Sequence, residues 1–350
     1  MNAVLPDLSG RAKGAWRQAS TRVPGAALAC VIALAATFVS SLHGGPQLLY
    51  ALLFGVAFHY LSHDPKTKPG IEFCSRTVLR LGVGLLGARI TAAQIVGLGL
   101  ETALTVIAAV VTTILCGLVV GQRLGMTRAQ RVLSGGAVAI CGASAALAIS
   151  AVLPREKDGD RFTLMLVVTV TVMSTVAMVL YPLIARALHL PPGLAGLFLG
   201  GTIHDVAQVV GAGYTLNHET GDIATIVKLF RVSMLTVVVI IVAAAFKKSR
   251  ERGLVGTGAG RTPAKQALVP WFLWLFVAMV LLNSIGALPS PMLGALNDIS
   301  RWCLVAAISA LGMKTSFAQL ARAGWRPLVL ILIETVWIAG FVLAVILLRH

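Results

Sequence analysis

The stretch Leu133-Ser134-Gly135-Gly136-Ala137-Val138-Ala139-Ile140-Cys141-Gly142-Ala143-Ser144-Ala145-Ala146-Leu147-Ala148 lies in the middle of the chain, between long apolar segments. It is long enough to lie inside a membrane, yet glycine, serine and cysteine replace the large aliphatic residues of a lipid-facing helix. Each glycine inside a helix costs about 1 kcal/mol relative to alanine. The stretch therefore predicts either close helix packing or exposed backbone, and exposed backbone at membrane depth is typical of a binding site built from interrupted helices.

The composition of the chain indicates an all-α, polytopic membrane protein. Of its 350 residues 57% are hydrophobic and only 12% are charged, and the mean hydropathy is +0.87. A soluble domain carries about 25% charged residues. The net charge of +16 comes from loop residues, where membrane topology and anionic lipid headgroups explain it, so we expect membrane lipids and no nucleic acid as partners.

Eleven apolar segments are candidate membrane spans. The loops that alternate to one side hold most of the lysine and arginine, so the positive-inside rule places the N-terminus in the cytoplasm and the C-terminus in the periplasm. The chain is thus divided into a basic cytoplasmic tail (1–24) and a single transmembrane domain (25–350) with a cytoplasmic linker at 247–266. The predicted spans are 25–42, 46–62, 74–92, 95–120, 132–153, 162–188, 193–213, 222–246, 268–288, 299–317 and 326–348.

Other chemistries lack their motifs in this sequence. The five cysteines form no CxxC pair, so we expect no disulfide and no zinc site. Neither a GxxxxGK[ST] loop nor an HExxH or GxSxG motif occurs, so we expect no ATP drive, no metal, no cofactor and no enzymatic activity. An intramembrane enzyme that uses Cys141 or His204 and Asp205 is the least favoured alternative.

The fifth span allows two interpretations. Ala137, Cys141, Ser144 and Ala148 form one face of small residues, which is typical of helix packing. Alternatively the helix breaks near Cys141-Gly142, and the freed N–H groups of residues 142–144 bind an anion at a helix N-terminus. In the second interpretation Gly135 and Gly136 are a further point at which the solute approaches the backbone closely. The candidates for solute binding are then Gly135, Gly136, Cys141, Gly142, Ala143 and Ser144.

Two further spans carry buried polar residues. In the seventh, helical spacing predicts His204, Asp205 and Gln208 on one side of a helix. Because an unpaired carboxylate in lipid is costly, Asp205 must face a cavity or a partner. These residues either satisfy a neighbouring polar helix or couple transport to protons. In the eighth span Lys228 and Arg231 either snorkel to the surface or contact an anion or Asp205. Ser309 and Lys314 in the tenth are weaker candidates.

A short internal similarity supports a repeat. Residues 86–94 (LGARITAAQ) resemble residues 311–319 (LGMKTSFAQ), and the two copies lie in spans of opposite orientation. Inverted repeats are typical of secondary transporters.

The two glycine-rich stretches resemble the signature segments of the YeiH-type bacterial inner-membrane family, often labelled sulfate exporters. They are GGAVAICGASAAL (135–147) and GGTIHDVAQVVGAG (200–213), and the runs at 81–91, 227–235 and 310–317 fit the same pattern. The resemblance implies the organisation of the bile-acid-symporter and cation/proton-antiporter superfamily. That organisation has two inverted five-helix repeats, here 46–188 and 193–348, after one extra helix at 25–42. Discontinuous helices then cross near the midplane, here in the fifth and tenth spans.

We therefore expect a secondary active transporter of a small anion of the sulfate, sulfite or organosulfonate class, in the bacterial inner membrane. The helix ends around Cys141 hold the anion with Lys228 or Arg231, and the group in the seventh span couples transport to H⁺ or Na⁺. The alternative is a cation/proton antiporter in which Asp205 binds the cation. The oligomeric state, monomer or homodimer, stays open.

Overall fold

The computed structural model describes residues 8–43, 47–154, 159–247, 271–315 and 325–348, and these ranges contain helices and connecting segments but no strand. The predicted linker at 247–266 lies outside them except for Lys247, as do residues 1–7 of the predicted tail and 316–319 of the predicted repeat.

The first half of the chain forms nine helices within the described residues. Short 3₁₀ turns follow α2 and α4, and a π-helical turn at Cys74–Val78 joins α3 to α4. The helices are α1 (Leu8–His43), α2 (Gln47–Ala57), α3 (Lys68–Phe73), α4 (Leu79–Leu86), α5 (Ala92–Gly97), α6 (Gly99–Arg123), α7 (Arg128–Ala139), α8 (Ala143–Ser150) and α9 (Gly159–Ala187).

The second half adds six helices to the described structure, and the described residues of each segment predicted to span the membrane lie mostly in helices. They are α10 (Pro192–Thr202), α11 (Val206–Leu216), α12 (His218–Ala245), α13 (Trp271–Ser284), α14 (Ser290–Lys314) and α15 (Trp325–Leu348).

Five helices in the described parts of the chain are long and apolar enough to cross a membrane. They are the Ser20–His43 part of α1, α6, the Arg161–Ala187 part of α9, α12 and α15. Three shorter helices, α2, α11 and α13, are also apolar. This composition identifies a membrane-embedded, all-α protein.

Contacts divide the chain into two compact units. Unit 1 comprises Met1–Val83 and Asp298–Thr315, and unit 2 comprises Gly84–Asn297 and Ser316–His350. In unit 1 glycines allow helix backbones to touch: Gly25 of α1 meets Gly70 of α3, and Gly55 of α2 meets Gly312 of α14. A ring nitrogen of His59 also hydrogen-bonds the Met313 carbonyl at 2.7 Å.

In unit 2 the central feature is a pair of interrupted helices, α7–α8 and α10–α11. Helix α6 packs on α7, and α12 packs on both α10 and α11. Helix α9 contacts α8 and α11, while α15 contacts α6, α7, α9 and α10. The core around α7 and α8 consists of small and branched residues such as Ala137, Val138, Ala145 and Ile149.

The expectation that the tenth span holds the second interruption is wrong. Helix α14 runs unbroken from Ser290 to Lys314, and the hydroxyl of Ser309 bonds back to the Val305 carbonyl within it. The second interruption lies in the seventh span, where Ile203 and Asp205 adopt extended backbone angles. The interrupted pair is therefore not the pair that the inverted repeat predicts, and the repeat itself stays a prediction.

Candidate functional site

The first interruption separates α7 from α8 at Ile140–Gly142, which confirms the break predicted near Cys141-Gly142. Gly142 has φ +64° and ψ −121°, a region that favours glycine because it has no Cβ. Its N–H donates to the Ala137 carbonyl at 2.8 Å. The N–H of Gly142 is therefore already used, and the predicted free donors reduce to Ala143 and Ser144, the first two positions of α8.

The second interruption separates α10 from α11 at Ile203–Asp205. The Asp205 carboxylate accepts the Ala207 N–H at 3.0 Å and thereby caps the N-terminus of α11. The Asp205 N–H in turn donates to the Ser174 hydroxyl of α9 at 3.0 Å. Asp205 thus caps the new helix, which begins at Val206.

The prediction that His204, Asp205 and Gln208 share one side of a helix is wrong. His204 and Asp205 lie in the interruption, so helical spacing does not apply to them. The His204 Nε2 meets the Thr335 hydroxyl of α15 at 3.0 Å, whereas the Gln208 amide donates to the Thr175 hydroxyl of α9 at 2.8 Å. The three side chains therefore bond to different partners: His204 to α15, Gln208 to α9 and Asp205 to the start of its own helix.

The two interruptions touch each other. A Cβ placed on Gly142 would lie 3.4 Å from the Cβ of His204 and 2.9 Å from Cγ1 of Val170. Since Gly142 precedes α8 and Asp205 precedes α11, the contact brings the starts of these two half-helices together.

Two fully buried cations of α12, Lys228 and Arg231, bind the ends of the half-helices that come before the interruptions. The Lys228 ammonium donates to the carbonyls of Ile140 (2.7 Å) and Ile203 (2.9 Å). The snorkelling interpretation is therefore wrong.

Arg231 uses its whole guanidinium for the same purpose. Its bonds run at 2.7–3.2 Å to four backbone carbonyls, those of Val138, Ala139, Gly200 and Ile203. Five bonds match its five N–H donors. No donor of Arg231 is left for a solute, whereas the ammonium of Lys228 has three hydrogens for its two carbonyl partners.

We call the region where the interruptions Ile140–Gly142 and Ile203–Asp205 meet the crossing. Positive and negative charge are separated there. The C-terminal ends of α7 and α10 each carry about half a negative charge, which the two cations neutralise. The positive N-terminal ends of α8 and α11 are the less buried part: Ala143 and Asp205 are half-buried, and Ser144 is exposed. Cys141 and Asp205 lie close enough to Lys228 to interact with it electrostatically.

The other predicted solute-binding residues lie at helix contacts. Gly135 meets the Ile114 backbone of α6, and Gly136 meets the Ile149 side chain of α8. Ser309 and Lys314 belong to unit 1, where the Lys314 ammonium lies 3.4 Å from the Ser75 hydroxyl. Among the described residues no cluster of three or more His, Cys, Asp or Glu side chains could hold a metal ion.

Helix α15 contributes a polar group that the sequence analysis did not select. Glu334 is fully buried, and its Oε2 accepts the Ser134 hydroxyl of α7 at 2.6 Å. The signal was present, because Glu334 is the one acidic residue in the apolar segment Trp325–Leu348. An ionisable residue inside a membrane span is by default a functional candidate.

Comparison with known proteins gives similarity over nearly the whole chain. The family model described as "Conserved hypothetical protein 698" matches residues 24–331. The UPF0324 membrane protein CT0845 of Chlorobaculum tepidum is 48% identical, over 91% of this chain and 88% of its own. The UPF0324 membrane protein TauZ of Paracoccus pantotrophus is 48% identical, over 92% and 94%, respectively. The UPF0324 membrane protein RB0971 of Rhizobium meliloti is 45% identical, over 93% and 92%. No solved structure matches the chain.

Proposed function

The chain belongs to the membrane-protein family described as Conserved hypothetical protein 698, the YeiH-type family that its glycine-rich stretches resemble, and from this premise we propose that it is a secondary active transporter of a small anion. One observation carries the proposal: two interrupted helices touch inside a membrane-embedded unit, with their C-terminal ends neutralised and their N-terminal ends less buried. Interrupted helices of this kind form solute sites in secondary transporters.

The charges at the crossing favour an anion over a cation. Two buried cations, Lys228 and Arg231, together with the positive starts of α8 and α11, exceed the negative ends of α7 and α10 and the carboxylate of Asp205, and Glu334 of α15 adds no charge when it carries a proton. A negatively charged solute would be attracted to this surplus. The alternative, a cation/proton antiporter, would require Asp205 to bind a cation while its carboxylate caps α11.

The proposed anion site consists of the backbone N–H groups of Ala143 and Ser144 together with the start of α11. A sulfur oxyanion or organosulfonate suits such a site because its several oxygens accept hydrogen bonds in different directions. The third hydrogen of the Lys228 ammonium supplies a charged donor from the opposite side of the interruption. Solute movement without covalent turnover is the proposed activity, so no enzymatic role is assigned.

Transport would proceed by alternating access across eleven spans in two inverted repeats, in the bacterial inner membrane. H⁺ or Na⁺ would couple to the solute through His204, Asp205 and Gln208. His204 and Asp205 suit coupling because they lie in the interruption, where a change in side-chain charge acts directly on the start of α11.

Ligand-dependent thermal stability of the purified protein tests the substrate class. Sulfate, sulfite, thiosulfate, taurine and NaCl are compared at matched ionic strength. Binding to the folded state at 100 times Kd contributes about 2.7 kcal/mol, so a sulfur oxyanion or sulfonate should raise the melting temperature clearly. Stabilisation by Na⁺ alone would support the cation/proton antiporter instead, and no stabilisation by any anion would contradict the proposal.

Two substitutions at Ala143 locate the site. Proline is tolerated at the first position of a helix but has no N–H, so Ala143→Pro removes one proposed donor and leaves α8 formed. Ala143→Gly keeps the donor and serves as the control. We expect the anion-dependent stabilisation to weaken in Ala143→Pro and to persist in Ala143→Gly. Equal stabilisation of both variants would place the anion elsewhere.

A further inference from the structure

Glu334 is a buried carboxyl group without a charged partner. It lies in the interior of α15, fully buried, and the Ser134 hydroxyl is its hydrogen-bond donor. Its second oxygen, Oε1, has no hydrogen-bond partner among the described residues. In the same part of the chain Glu334 forms no ion pair.

In the described structure four helices pack on α15, namely α6, α7, α9 and α10, and the groups that they present to Glu334 are mostly neutral. On α6 the Cys116 thiol interacts electrostatically with Glu334, and Gly117 leaves the space that Oε1 occupies, because a Cβ there would overlap this oxygen. On α7 the facing group is the Ser134 hydroxyl, and the guanidinium of Arg131, one turn earlier, donates instead to the carbonyls of Thr127 and Leu118 and to the Gln122 side chain. Among the described residues of α9 and α10, no titratable side chain hydrogen-bonds or forms an ion pair with Glu334.

The two cations of the crossing are committed elsewhere. Lys228 and Arg231 donate to backbone carbonyls of the two interrupted helices. An uncompensated carboxylate inside a membrane protein is costly, and binding a proton removes its charge. The environment of Glu334 therefore makes the free-energy difference between its ionised and its protonated form large. A proton is the ligand that removes this cost.

The position of Glu334 connects it to both interruptions. Ser134, its donor, lies on α7 ahead of the first interruption. The next residue of α15, Thr335, holds the ring of His204 inside the second interruption. One turn of α15 therefore contacts both interrupted helices. An ionised carboxylate accepts a stronger hydrogen bond from Ser134 than a neutral carboxyl does, so its protonation changes how firmly α15 holds α7.

We propose that Glu334 is the proton-binding residue that couples proton movement to solute transport at the crossing. The proposal rests on the proposed function and deepens it, because it names H⁺ as the coupling ion and Glu334 as the residue that carries it, while His204, Asp205 and Gln208 transmit the change to the start of α11. In each cycle Glu334 takes one proton from the solution on one side of the membrane and releases it to the other. His204 is then a positioning residue, because its bond to Thr335 connects α15 to the second interruption.

The transport test uses the full-length protein in liposomes with radiolabelled sulfate, or with whichever anion stabilises the purified protein. Counterflow at equal pH measures anion exchange without a gradient, and a second assay imposes a pH gradient. For one coupled proton, each unit of gradient changes the equilibrium anion ratio about tenfold, since 1.4 kcal/mol corresponds to a factor of ten. Glu334→Gln should keep counterflow and lose the response to the gradient.

Glu101→Gln is the matched control, because Glu101 is an exposed glutamate in the first turn of α6, the helix that also faces Glu334. We expect it to retain both activities. Glu334→Asp keeps a carboxyl group and should restore part of the gradient response. A gradient response in Glu334→Gln equal to that of the unmodified protein would overturn the coupling role while leaving anion transport intact.

Infrared difference spectroscopy between two pH values supplies a readout that needs no substrate and remains decisive if the protein moves no sulfate. The unmodified protein should show a protonated-carboxyl band that titrates, is absent in Glu334→Gln and moves in Ser134→Ala. Absence of anion flux in the unmodified protein would count against the proposed function alone. A carboxyl spectrum identical in the unmodified protein and in Glu334→Gln at every pH would overturn the assignment of the proton to Glu334.

Discussion

Gly142 shows at the scale of one residue why the first interruption forms where it does. Its φ of +64° with ψ of −121° lies in a region that residues with a Cβ rarely adopt. Space is also short, because a Cβ would lie 2.9 Å from Cγ1 of Val170. The positive φ and the lack of space both occur where the two interruptions touch. A glycine is therefore required at the proposed site.

Gly142→Ala should therefore lower the stability of the protein by roughly 3 kcal/mol, the upper range for strained backbone, and should reduce anion flux. Gly125→Ala is the control, because Gly125 also has a positive φ (+72°) but faces open space at the end of α6. It should cost about 1 kcal/mol, the backbone term alone. The larger Gly142→Leu should abolish flux. Thermal unfolding measures the loss of stability and counterflow measures the loss of anion flux. Equal losses in Gly142→Ala and Gly125→Ala would show that Gly142 matters only for its backbone angle.

At the scale of one element, α12 holds the two interrupted helices together. Their last carbonyls cannot bond within their own helices, and a buried backbone carbonyl without a partner is costly. Lys228 and Arg231 provide these partners from one helix, three positions apart. The pair thereby serves mainly as a brace for the interruptions, and Lys228 alone retains a hydrogen for a solute.

Arg231→Lys tests this brace. A lysine keeps the charge but offers three hydrogens in place of five, so at least two bonds to the carbonyls of α7 and α10 are lost. We expect a loss of about 3–6 kcal/mol, since two bonds are lost and a hydrogen bond to a charged group is worth about 1.5–3 kcal/mol. Arg186→Lys is the control, because Arg186 is exposed and donates to one carbonyl, that of Thr215. Similar melting temperatures for the two variants would contradict the brace.

At the scale of the whole molecule, the orientation predicted from loop charges can be measured by thiol labelling. Lys66 and Glu219 are both exposed, and the predicted topology places them on the cytoplasmic and periplasmic sides, respectively. A membrane-impermeant maleimide applied to cells with a permeabilised outer membrane should label Glu219→Cys and spare Lys66→Cys. The unmodified protein reports background from its five cysteines. Labelling of both variants would contradict an odd number of spans between these positions, and the reverse pattern would invert the orientation.

Several features of the fold and the site could be read from the sequence. Hydrophobic runs predicted where helices form, because membrane burial requires each backbone group to bond within its own segment. Glycine between small residues offered the interruption at Gly142 as one of two interpretations, and the structure shows that this interpretation is the correct one. Helical spacing failed in the seventh span, because the helix is interrupted there and the interruption is held by distant residues: Asp205 bonds Ser174, 31 positions away, and His204 bonds Thr335, 131 positions away.

The glycine-rich stretch Leu133–Ala148 shows what the sequence determined and what it did not. By itself the sequence determined a helical membrane protein of the YeiH-type family and limited the glycine-rich stretch to two interpretations, helix packing or a break at Cys141-Gly142, because these features depend on composition and local backbone preference. Only the tertiary structure decided that this break meets His204, and that Lys228 bonds Ile140 from 88 positions away. The physical reason is that an interruption leaves backbone groups without local partners, and their partners come from helices that only folding brings together.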